Sequence, residues 1–332
     1  MVVSDLVWTI FFLAQTSLGL LGNSTLLMLY INIFITHPYQ RKSTDLILTH
    51  LTVANTMTLL TQCAPGMVMA FGLKTLVGTI GCQIVLYIRR VARALSICTT
   101  CLLSVFQAIT ISPSTSLFAQ LKPRAPSYIF PSFVFFWILN LFIDINFLKS
   151  VVAIRNDTIT VSVYRSKSCS SSQRESLLKQ DAFVSLMTLR DVFFVFLMSW
   201  TSGYMVVVLH QHQKQVQHIH SNSLSPQFSA EAKATQTILL LVISFVCFYC
   251  INSSFNLTLY FVPENDLRFY DPVLFLGACY AFFCPFVLIS KDPRVPTVQG
   301  VLKKIRGTLG PLDSSQEQQV TSLPLSQPTD SL

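Results

Sequence analysis

Residues 6–35 read LVWTIFFLAQTSLGLLGNSTLLMLYINIFI and contain no charged side chain. A helix that crosses a lipid bilayer needs about 20 predominantly apolar residues, so this run predicts a membrane-spanning helix. Residues 1–5 carry Asp5 and no cationic group, and the run is longer than the apolar core of a cleaved signal peptide. We therefore expect the segment to be retained as a membrane anchor.

The composition of the whole chain also indicates a membrane protein. Of its 332 residues, 52% are apolar and only 11% are charged, and the mean hydropathy is +0.55. Soluble domains carry about 25% charged residues, and disordered chains are poor in apolar residues, so both classes are excluded. The net charge of +8 is interpreted as a sign of topology and of contact with anionic inner-leaflet lipid, and not of nucleic-acid binding.

Six further apolar runs are long enough to span a membrane, which gives seven in total. The second and third spans are the least hydrophobic, so six is the main alternative count. The continuous runs lack the alternation typical of a transmembrane β-barrel. The pattern predicts an all-α fold, a bundle of seven transmembrane helices. The six further runs are residues 46–67, 84–111, 128–148, 192–209, 235–262 and 272–290.

The positive charges that flank the first span predict the orientation of the bundle. Asp5 lies before this span, whereas Arg41 and Lys42 follow it, and cytoplasmic loops are the ones enriched in Lys and Arg. We expect an extracellular N-terminus and, after seven spans, a cytoplasmic C-terminus. The loops then predicted to be cytoplasmic hold 11 Lys and Arg, against 8 in the outer loops when the second outer loop is taken as residues 149–181.

Two domains are expected. Residues 1–295 form the seven-helix unit, and residues 296–332 form a cytoplasmic tail. Apolar residues recur at helical spacing between positions 298 and 305, with Lys and Arg between them, which predicts a short amphipathic helix on the inner leaflet. The Ser, Gln and Pro content that follows is typical of disorder.

Cysteine positions predict one covalent link. Seven of the nine cysteines lie inside predicted spans, which leaves Cys82 and Cys169. The predicted orientation puts both on the oxidising side, so we expect a disulfide between the start of the third span and the long second outer loop. The same loop contains Asn156-Asp157-Thr158, an acceptor sequence for N-glycosylation.

Three arginines, Arg89, Arg90 and Arg93, lie within the third span, where ionisable groups are costly and usually face a cavity or the bundle interior. They could line a pocket for an anion or a strong hydrogen-bond acceptor. They could instead pair with Asp144 or Asp191, or extend to the outer interface. Elsewhere in the predicted spans, Asn23, His50 and Asn55 are interpreted as interhelical hydrogen-bonding groups.

The predicted inner loop after the fifth span, residues 210–234, is rich in histidine and lysine. It could dock a cytosolic partner or anionic lipid, or it could be an ordinary solvated loop. The basic residues there are His210, His212, Lys214, His218, His220 and Lys233.

Enzyme signatures are missing from the sequence: it contains no G-x-S-x-G, H-E-x-x-H or Walker A motif. We therefore expect no enzymatic activity, no cofactor and no metal site. A small-solute transporter or channel subunit is an alternative, but no internal repeat of the kind found in transporters is evident.

Several segments together resemble the vomeronasal type-1 receptors over about residues 10–295. The third span reads RVARALSICTTCLLSVFQAITISP over residues 90–113, and the second contains DLILTHLTVAN over residues 45–55. Residues 199–205 read SWTSGYM, and these runs argue against a bitter-taste receptor. Further matching segments are RDVFFV (190–195), VQHIHS (216–221), ATQTIL (234–239) and PFVLIS (285–290).

The resemblance implies a G-protein-coupled receptor of the plasma membrane that senses pheromones or odorants and couples to an inhibitory-class G protein. It also implies the Cys82–Cys169 disulfide and a glycan on Asn156. The ligand is then expected to bind among the outer ends of the third, fifth, sixth and seventh helices. The candidate pocket residues there are Arg89, Arg90, Arg93, Asp191 and Tyr260. The basic residues of 210–234 become the candidate G-protein contacts.

Two positions depart from what the resemblance leads us to expect. Arg89 replaces a His and Ala281 replaces a Pro, and loss of that proline is expected to remove a kink from the seventh helix. A non-signalling relic of the receptor family is therefore a further alternative.

Overall fold

The structure is a computed structural model that describes residues 2–36, 39, 42–70, 79–145, 151–153, 169–171, 177–219, 226–261 and 270–292. Seven long helices confirm the predicted all-α bundle. In chain order they are α1 (Val2–Thr36), α2 (Ser43–Ala70), α3 (Thr79–Ile111), α4 (Ala125–Asp144), α5 (Leu177–Ile219), α6 (Pro226–Phe261) and α7 (Tyr270–Lys291). We call the end of the bundle at the start of α3 the outer end, following the predicted orientation.

Among the described residues, six helices are long and apolar enough to cross a membrane, and α2 is the exception. Six threonines lower its hydropathy. Five of their hydroxyls donate to the carbonyl four residues earlier in α2, as Thr52 does to Leu48 at 2.8 Å, so the polar groups are satisfied within the helix itself. The expectation of a weakly hydrophobic third span is wrong, since α3 is one of these six apolar helices and is more hydrophobic than α4.

Helix α3 forms the centre of the bundle. It packs against α2, α4, α5 and α6, while α1 packs against α2 and α7. Residues Leu95, Ile97 and Leu103 of α3 are at most 1% exposed. In contrast, Phe130 and Phe142 of α4 are about 70% exposed, as expected for side chains that face lipid.

Two short strands, which the sequence did not predict, lie in the long second outer loop. Strand β1 (Val151–Ala153) pairs antiparallel with β2 (Cys169–Ser171), with Ala153 opposite Cys169. Strand β1 lies against α3, the helix that contains Cys82. The side chains of Cys82 and Cys169 and the whole of Asn156 lie outside the described residues, so the disulfide and the glycan stay predictions.

Helices α5 and α6 are longer than their apolar spans at both ends. The 43 residues of α5 correspond to about 65 Å, against about 30 Å for the hydrocarbon core. The expectation of a loop over 210–234 is therefore wrong at both ends, because α5 continues to Ile219 and α6 begins at Pro226. The predicted amphipathic helix of the tail lies outside the described residues.

Candidate functional site

A buried ion-pair network joins the outer ends of α3, α4 and α5. The side chain of Asp144 is fully buried and accepts a hydrogen bond from Arg90 Nε at 3.1 Å. Arg190 Nη1 lies 3.5 Å from the other carboxylate oxygen of Asp144. Of the alternatives left open for the three arginines, ion pairing with Asp144 is therefore the one observed for Arg90. The Nη2 atom of Arg90 also contacts the sulfur of Met187.

Arg190 is the partner that sequence reasoning missed. Its guanidinium donates to Asp191 at 2.9 Å and to Asn140 at 3.0 Å, in addition to its contact with Asp144. The side chain of Arg190 is only 6% exposed, and buried charges must be paired because their desolvation is costly. The signal was available in the sequence, since Arg190-Asp191 directly precedes the uncharged run of the fifth span.

Beside this network, Arg89 and Arg93 converge on α7. Spaced four residues apart, they share one face of α3. Arg93 Nη1 lies 3.6 Å, and Arg89 Nη2 4.0 Å, from the position that a β-carbon would take on Gly277. Among the described residues, Arg89 takes part in no hydrogen bond and no ion pair. We refer to Arg89, Arg90, Arg93, Arg190, Asp144 and Asp191 as the arginine cluster.

A small cavity adjoins this point, between α2, α3, α6 and α7. Its volume of about 30 Å³ has room for roughly two water molecules, so an organic ligand would have to displace side chains. Arg93 is the charged residue in the cavity lining, and aromatic rings form much of the rest of the lining. The lining residues are Arg93, Thr58, Ser96, Phe245, Phe248, Tyr249, Leu276, Gly277, Tyr280 and Ala281.

Of the predicted pocket residues, the structure brings Arg93 to the cavity and Arg89 close to it. Arg90 and Asp191 belong to the ion pairs of the arginine cluster. The side chain of Tyr260, near the end of α6, lies outside the described part of the chain.

Below the cavity, hydroxyl groups link α7 to α3 and α2. Thr100 donates to the carbonyl of Ser96 at 2.8 Å, which leaves the Tyr280 hydroxyl to donate to Thr100 Oγ1 at 2.9 Å. Ser96 in turn donates to Asn55 Oδ1 at 2.8 Å. Phe245 of α6 packs edge-on against the Tyr280 ring, with centroids 4.8 Å apart. Tyr280 therefore contacts both the cavity wall and the centre of the bundle.

Helix α7 contains a proline at position 285 in its interior, and residues of α1 pack against it. Pro285 has no N–H group, so the carbonyl of Ala281 cannot make its normal helical hydrogen bond. Asn23 Nδ2 donates to this carbonyl at 3.1 Å and also to Gly19 of its own helix at 2.8 Å. Gly22 faces the proline ring, with its hypothetical β-carbon 3.1 Å from two ring atoms. Helix α7 thus lacks the expected proline at position 281 but has a helix-breaking residue at position 285.

His50 is a packing group that joins three helices. Its Nε2 accepts a hydrogen bond from Trp137 Nε1 at 3.1 Å, which requires the proton to be on Nδ1. That proton is donated to Thr99 Oγ1 at 2.9 Å. The ring is also stacked on Phe133, with centroids 4.2 Å apart. His50 therefore acts as the predicted interhelical hydrogen-bonding group.

Hydrogen bonds between uncharged side chains link the inner half of α3 to α5 and α6, and a lysine caps its end. Gln107 Nε2 donates to Thr235 Oγ1 of α6 at 3.0 Å, and both side chains are buried. One turn further, Ser112 contacts the Tyr204 hydroxyl of α5 at 2.9 Å. Lys122 caps the helix by donating to the Ser112 carbonyl at 3.0 Å.

The candidate inner contacts lie on helical extensions. His210, His212 and Lys214 belong to the end of α5, and Lys233 lies at the inner end of α6. His218 also lies in α5, with a side chain outside the described residues, and His220 is outside them altogether. Five of these six basic residues thus lie on two helices.

The fold is similar to that of a solved seven-helix membrane protein. Squid rhodopsin, a seven-transmembrane G-protein-coupled receptor, superposes with a TM-score of 0.67 over 99% of this chain and 90% of its own. The sequence identity is 17%, so this likeness shows the fold alone.

Sequence comparison identifies the family. Vomeronasal type-1 receptor 3 of Homo sapiens is 40% identical over 286 residues, which is 86% of this chain and 90% of the relative. Vomeronasal type-1 receptor 4 of Homo sapiens is 36% identical and covers 85% and 93%. Olfactory receptor class A-like protein 1 of Danio rerio is 32% identical and covers 86% and 89%. The profile of the vomeronasal organ pheromone receptor family matches residues 7–300, and the chain belongs to this family of G-protein-coupled chemosensory receptors of the plasma membrane.

Proposed function

We propose that this receptor binds a small pheromone or odorant at the outer cavity and activates an inhibitory-class heterotrimeric G protein. Membership of the vomeronasal organ pheromone receptor family supports a small-molecule ligand and a G-protein partner, and it replaces the transporter alternative. The observation that carries the site assignment is the Arg93-lined cavity between α3, α6 and α7, because its wall includes Tyr280, which is hydrogen-bonded to the centre of the bundle.

Only some of the predicted pocket residues would contact the ligand directly. Arg89 and Arg93 point toward Gly277, so they would contact an anionic or hydrogen-bond-accepting group of the ligand. Arg90 and Asp191 are engaged in ion pairs, and they would act by fixing the positions of α3 and α5. Tyr260 remains a candidate at the outer end of α6.

The mechanism we infer is a shift between two populations of the bundle. A ligand that fills the cavity has to move side chains on α6 and α7, and it favours whichever conformation accommodates it better. Tyr280 and Phe245 would transmit this change toward the inner half of α3. There the neutral Gln107–Thr235 hydrogen bond has to break before α6 can move away from α3.

The helical extensions of α5 and α6 are the proposed G-protein contact. Once their inner ends separate, a groove opens between them. The basic side chains on these extensions would then face the G protein, or anionic lipid beside it. On the extensions these residues are His210, His212, Lys214, His218 and Lys233, and His220 of the same segment is a further candidate.

A nucleotide-exchange assay tests the proposal. The full chain, tagged at its N-terminus and stained on unpermeabilised cells, would be screened with an odorant panel, and exchange on an inhibitory-class G protein would be measured. Gly277→Leu fills the cavity and should abolish the response while surface staining persists. Gly203→Leu is the matched control, because nothing lies within 4 Å of a β-carbon at that position of α5.

Three outcomes would count against the proposal. Equal responses of the Gly277→Leu variant and the parent would remove the ligand from this cavity. A response carried only by another G-protein class would overturn the inhibitory assignment. Absence of N-terminal staining in protein that reaches the surface would overturn the orientation. Loss of the response in Cys82→Ala, with staining retained, would support the predicted disulfide.

A further inference from the structure

Two pairs of aromatic rings join α6 to α7 beside the cavity. Phe245 packs edge-on against Tyr280, with ring centroids 4.8 Å apart. Phe248 is stacked on Phe283, with centroids 5.2 Å apart and ring planes at 20°. Phe248 lines the cavity, whereas Phe283 does not line it and is 44% exposed. The Phe248–Phe283 pair therefore separates the cavity from the outer surface of the bundle.

This pair lies within the lipid and not at its aqueous boundary. Phe283 is 12 residues from the start of the apolar span Asp271–Lys291, which corresponds to about 18 Å of helix, against about 30 Å for the hydrocarbon core. Next to Phe248 on α6, Cys247 and Cys250 are exposed, as expected of side chains that face lipid. A molecule that separates the two rings therefore arrives from the hydrocarbon region.

The Phe248–Phe283 pair can open without the loss of a polar contact. Neither side chain has a hydrogen-bonding group, and the pairing of two aromatic rings favours the closed arrangement only by about three- to tenfold. Rotation of the half-exposed Phe283 ring about its side-chain bonds would uncover Phe248 and the cavity behind it. The buried ion pairs between α3, α4 and α5 offer no comparable opening, because their charges would lose their partners.

The polar groups at the cavity favour an uncharged ligand. The charge of Arg93 is opposed by Asp191. The side-chain oxygen of Asn252 lies 3.7 Å from the β-carbon position of Gly277, and Arg93 Nη1 lies 3.6 Å from it. A carboxylate here would be repelled by the Asn252 oxygen, whereas a carbonyl group needs only one donor. Since aromatic rings form much of the lining, the cavity fits an apolar molecule with a neutral hydrogen-bond acceptor, which also dissolves in the bilayer.

We propose that the ligand is an uncharged, lipid-soluble molecule with a hydrogen-bond acceptor, and that it enters the cavity from the lipid, between α6 and α7, by displacing Phe283 from Phe248. This inference rests on the proposed function in one respect, the use of this cavity as the ligand site. It adds the chemical class of the ligand and the direction from which the ligand arrives. Passage between the rings requires no G protein, so it can be measured without signalling.

Chemical labelling of a cysteine placed in the cavity tests this path. Gly277→Cys provides the thiol, because a β-carbon there makes only ordinary contacts of 3.6 Å or more. Ala281→Cys, in the same lining, is a second reporter. The guanidinium group of Arg93 beside both positions favours the reactive thiolate.

Two reagents of the same chemistry distinguish the lipid path from an aqueous one. Benzyl methanethiosulfonate is neutral and dissolves in lipid, whereas its 2-sulfonatoethyl analogue is anionic and stays in water. With either reagent the thiolate forms a mixed disulfide and releases methanesulfinate. The full chain would be labelled in lipid nanodiscs, and peptide mass spectrometry would give the rate at the reporter alone.

Phe283→Ala removes the lipid-facing ring of the pair, and Phe286→Ala is the matched control. Phe286 lies on the same helix and is 40% exposed, and its ring is 5.2 Å from that of Phe282, as the Phe283 ring is. We expect Phe283→Ala to accelerate labelling by the neutral reagent about three- to tenfold, and to leave labelling by the anionic reagent unchanged. Phe286→Ala should change neither rate.

Three results would overturn the inference. The first is equal labelling by the neutral reagent in Phe283→Ala and Phe286→Ala. The second is an equal acceleration of both reagents by Phe283→Ala, which would place the path on the aqueous side. The third is a reporter that the neutral reagent does not label in Phe283→Ala, although the same thiol reacts once the protein is unfolded.

The labelling result and the signalling result are independent. A ligand that reaches the cavity from the outer end of the bundle can still activate the receptor, so an intact response is compatible with failure of the lipid path. A receptor that activates no inhibitory-class G protein can still admit the neutral reagent between α6 and α7.

Discussion

The two ends of α3 are held by different chemistry. At the outer end, Arg90 shares the buried carboxylate of Asp144 with Arg190 of α5. At the inner end, Gln107 donates to Thr235 of α6 through a neutral hydrogen bond, with both side chains buried. Breaking a buried ion pair by removing one partner costs about 3–5 kcal/mol, whereas interhelical hydrogen bonds in a membrane average about 0.6 kcal/mol.

This difference divides the bundle into a rigid outer part, which we call the frame, and a movable inner part. The outer ends of α3, α4 and α5 cannot separate without exposing charges to a poor solvent. The inner ends of α5 and α6 can leave α3 at smaller cost, because the side-chain contacts described there, Gln107–Thr235 and Ser112–Tyr204, join uncharged groups. A receptor that must keep its ligand site while opening toward a G protein needs this asymmetry.

The largest expected effect is the loss of the buried carboxylate. Asp144→Ala leaves Arg90 and Arg190 without the charge that they share, and should destabilise the fold by about 3–5 kcal/mol, measured by thermal unfolding or as lost surface expression. Replacing all three charges by apolar residues of similar volume should restore much of this stability. A midpoint for Asp144→Ala within 1 °C of the parent would show that the outer end is not a rigid frame.

The contact of α1 with α7 is expected to be the next most sensitive. Gly22→Ala places a methyl group 3.1 Å from two atoms of the Pro285 ring, and such overpacking typically costs about 1–3 kcal/mol. Gly203→Ala is the matched control, because a β-carbon there has no neighbour within 4 Å, and alanine is the better helix former by about 0.5–1 kcal/mol. Unfolding midpoints should therefore move in opposite directions. Equal shifts would contradict the close packing of α1 on the proline.

Sequence reasoning succeeded where a property is local. Uninterrupted apolar runs predict helices, and the structure confirms all seven. Of the alternatives that the sequence left open for Arg90, an ion pair with Asp144 is the one observed, and both residues fall near the same predicted end of the bundle.

Sequence reasoning failed where the answer depends on helix rotation or on distant pairing. Arg190 was missed because adjacent residues on a helix point about 100° apart, and no pattern shows which of Arg190 and Asp191 faces α3. The strand pair was missed because Ala153 and Cys169 are distant in sequence and neither flank carries a hairpin signal. The inner extension of α5 was assigned to a loop because of its polarity. However, residues 210–219 contain four Gln and no Gly or Pro, a composition that favours a helix.

A smaller effect is expected at the carbonyl freed by Pro285. Asn23→Ala leaves the carbonyl of Ala281 without its donor and should cost about 1 kcal/mol. In a Pro285→Ala background the same change should cost less, because residue 285 regains an N–H group and can restore the helical hydrogen bond. A double-mutant cycle on unfolding midpoints measures this coupling. Additive effects would mean that Asn23 acts only within α1.

Loss of the Gln107–Thr235 hydrogen bond should have the smallest effect on stability and the clearest effect on signalling. Thr235→Val removes the acceptor of Gln107, and a loss of about 0.6 kcal/mol corresponds to about a threefold shift in a two-state equilibrium. We expect basal nucleotide exchange to rise about threefold, with little change in the unfolding midpoint. Thr237→Val is the matched control, since the Thr237 hydroxyl donates to the Lys233 carbonyl of its own helix at 2.9 Å and faces outward. If both valine variants raise basal exchange equally, the tie between α3 and α6 does not restrain opening, and the contrast between the two ends of α3 has no role in signalling.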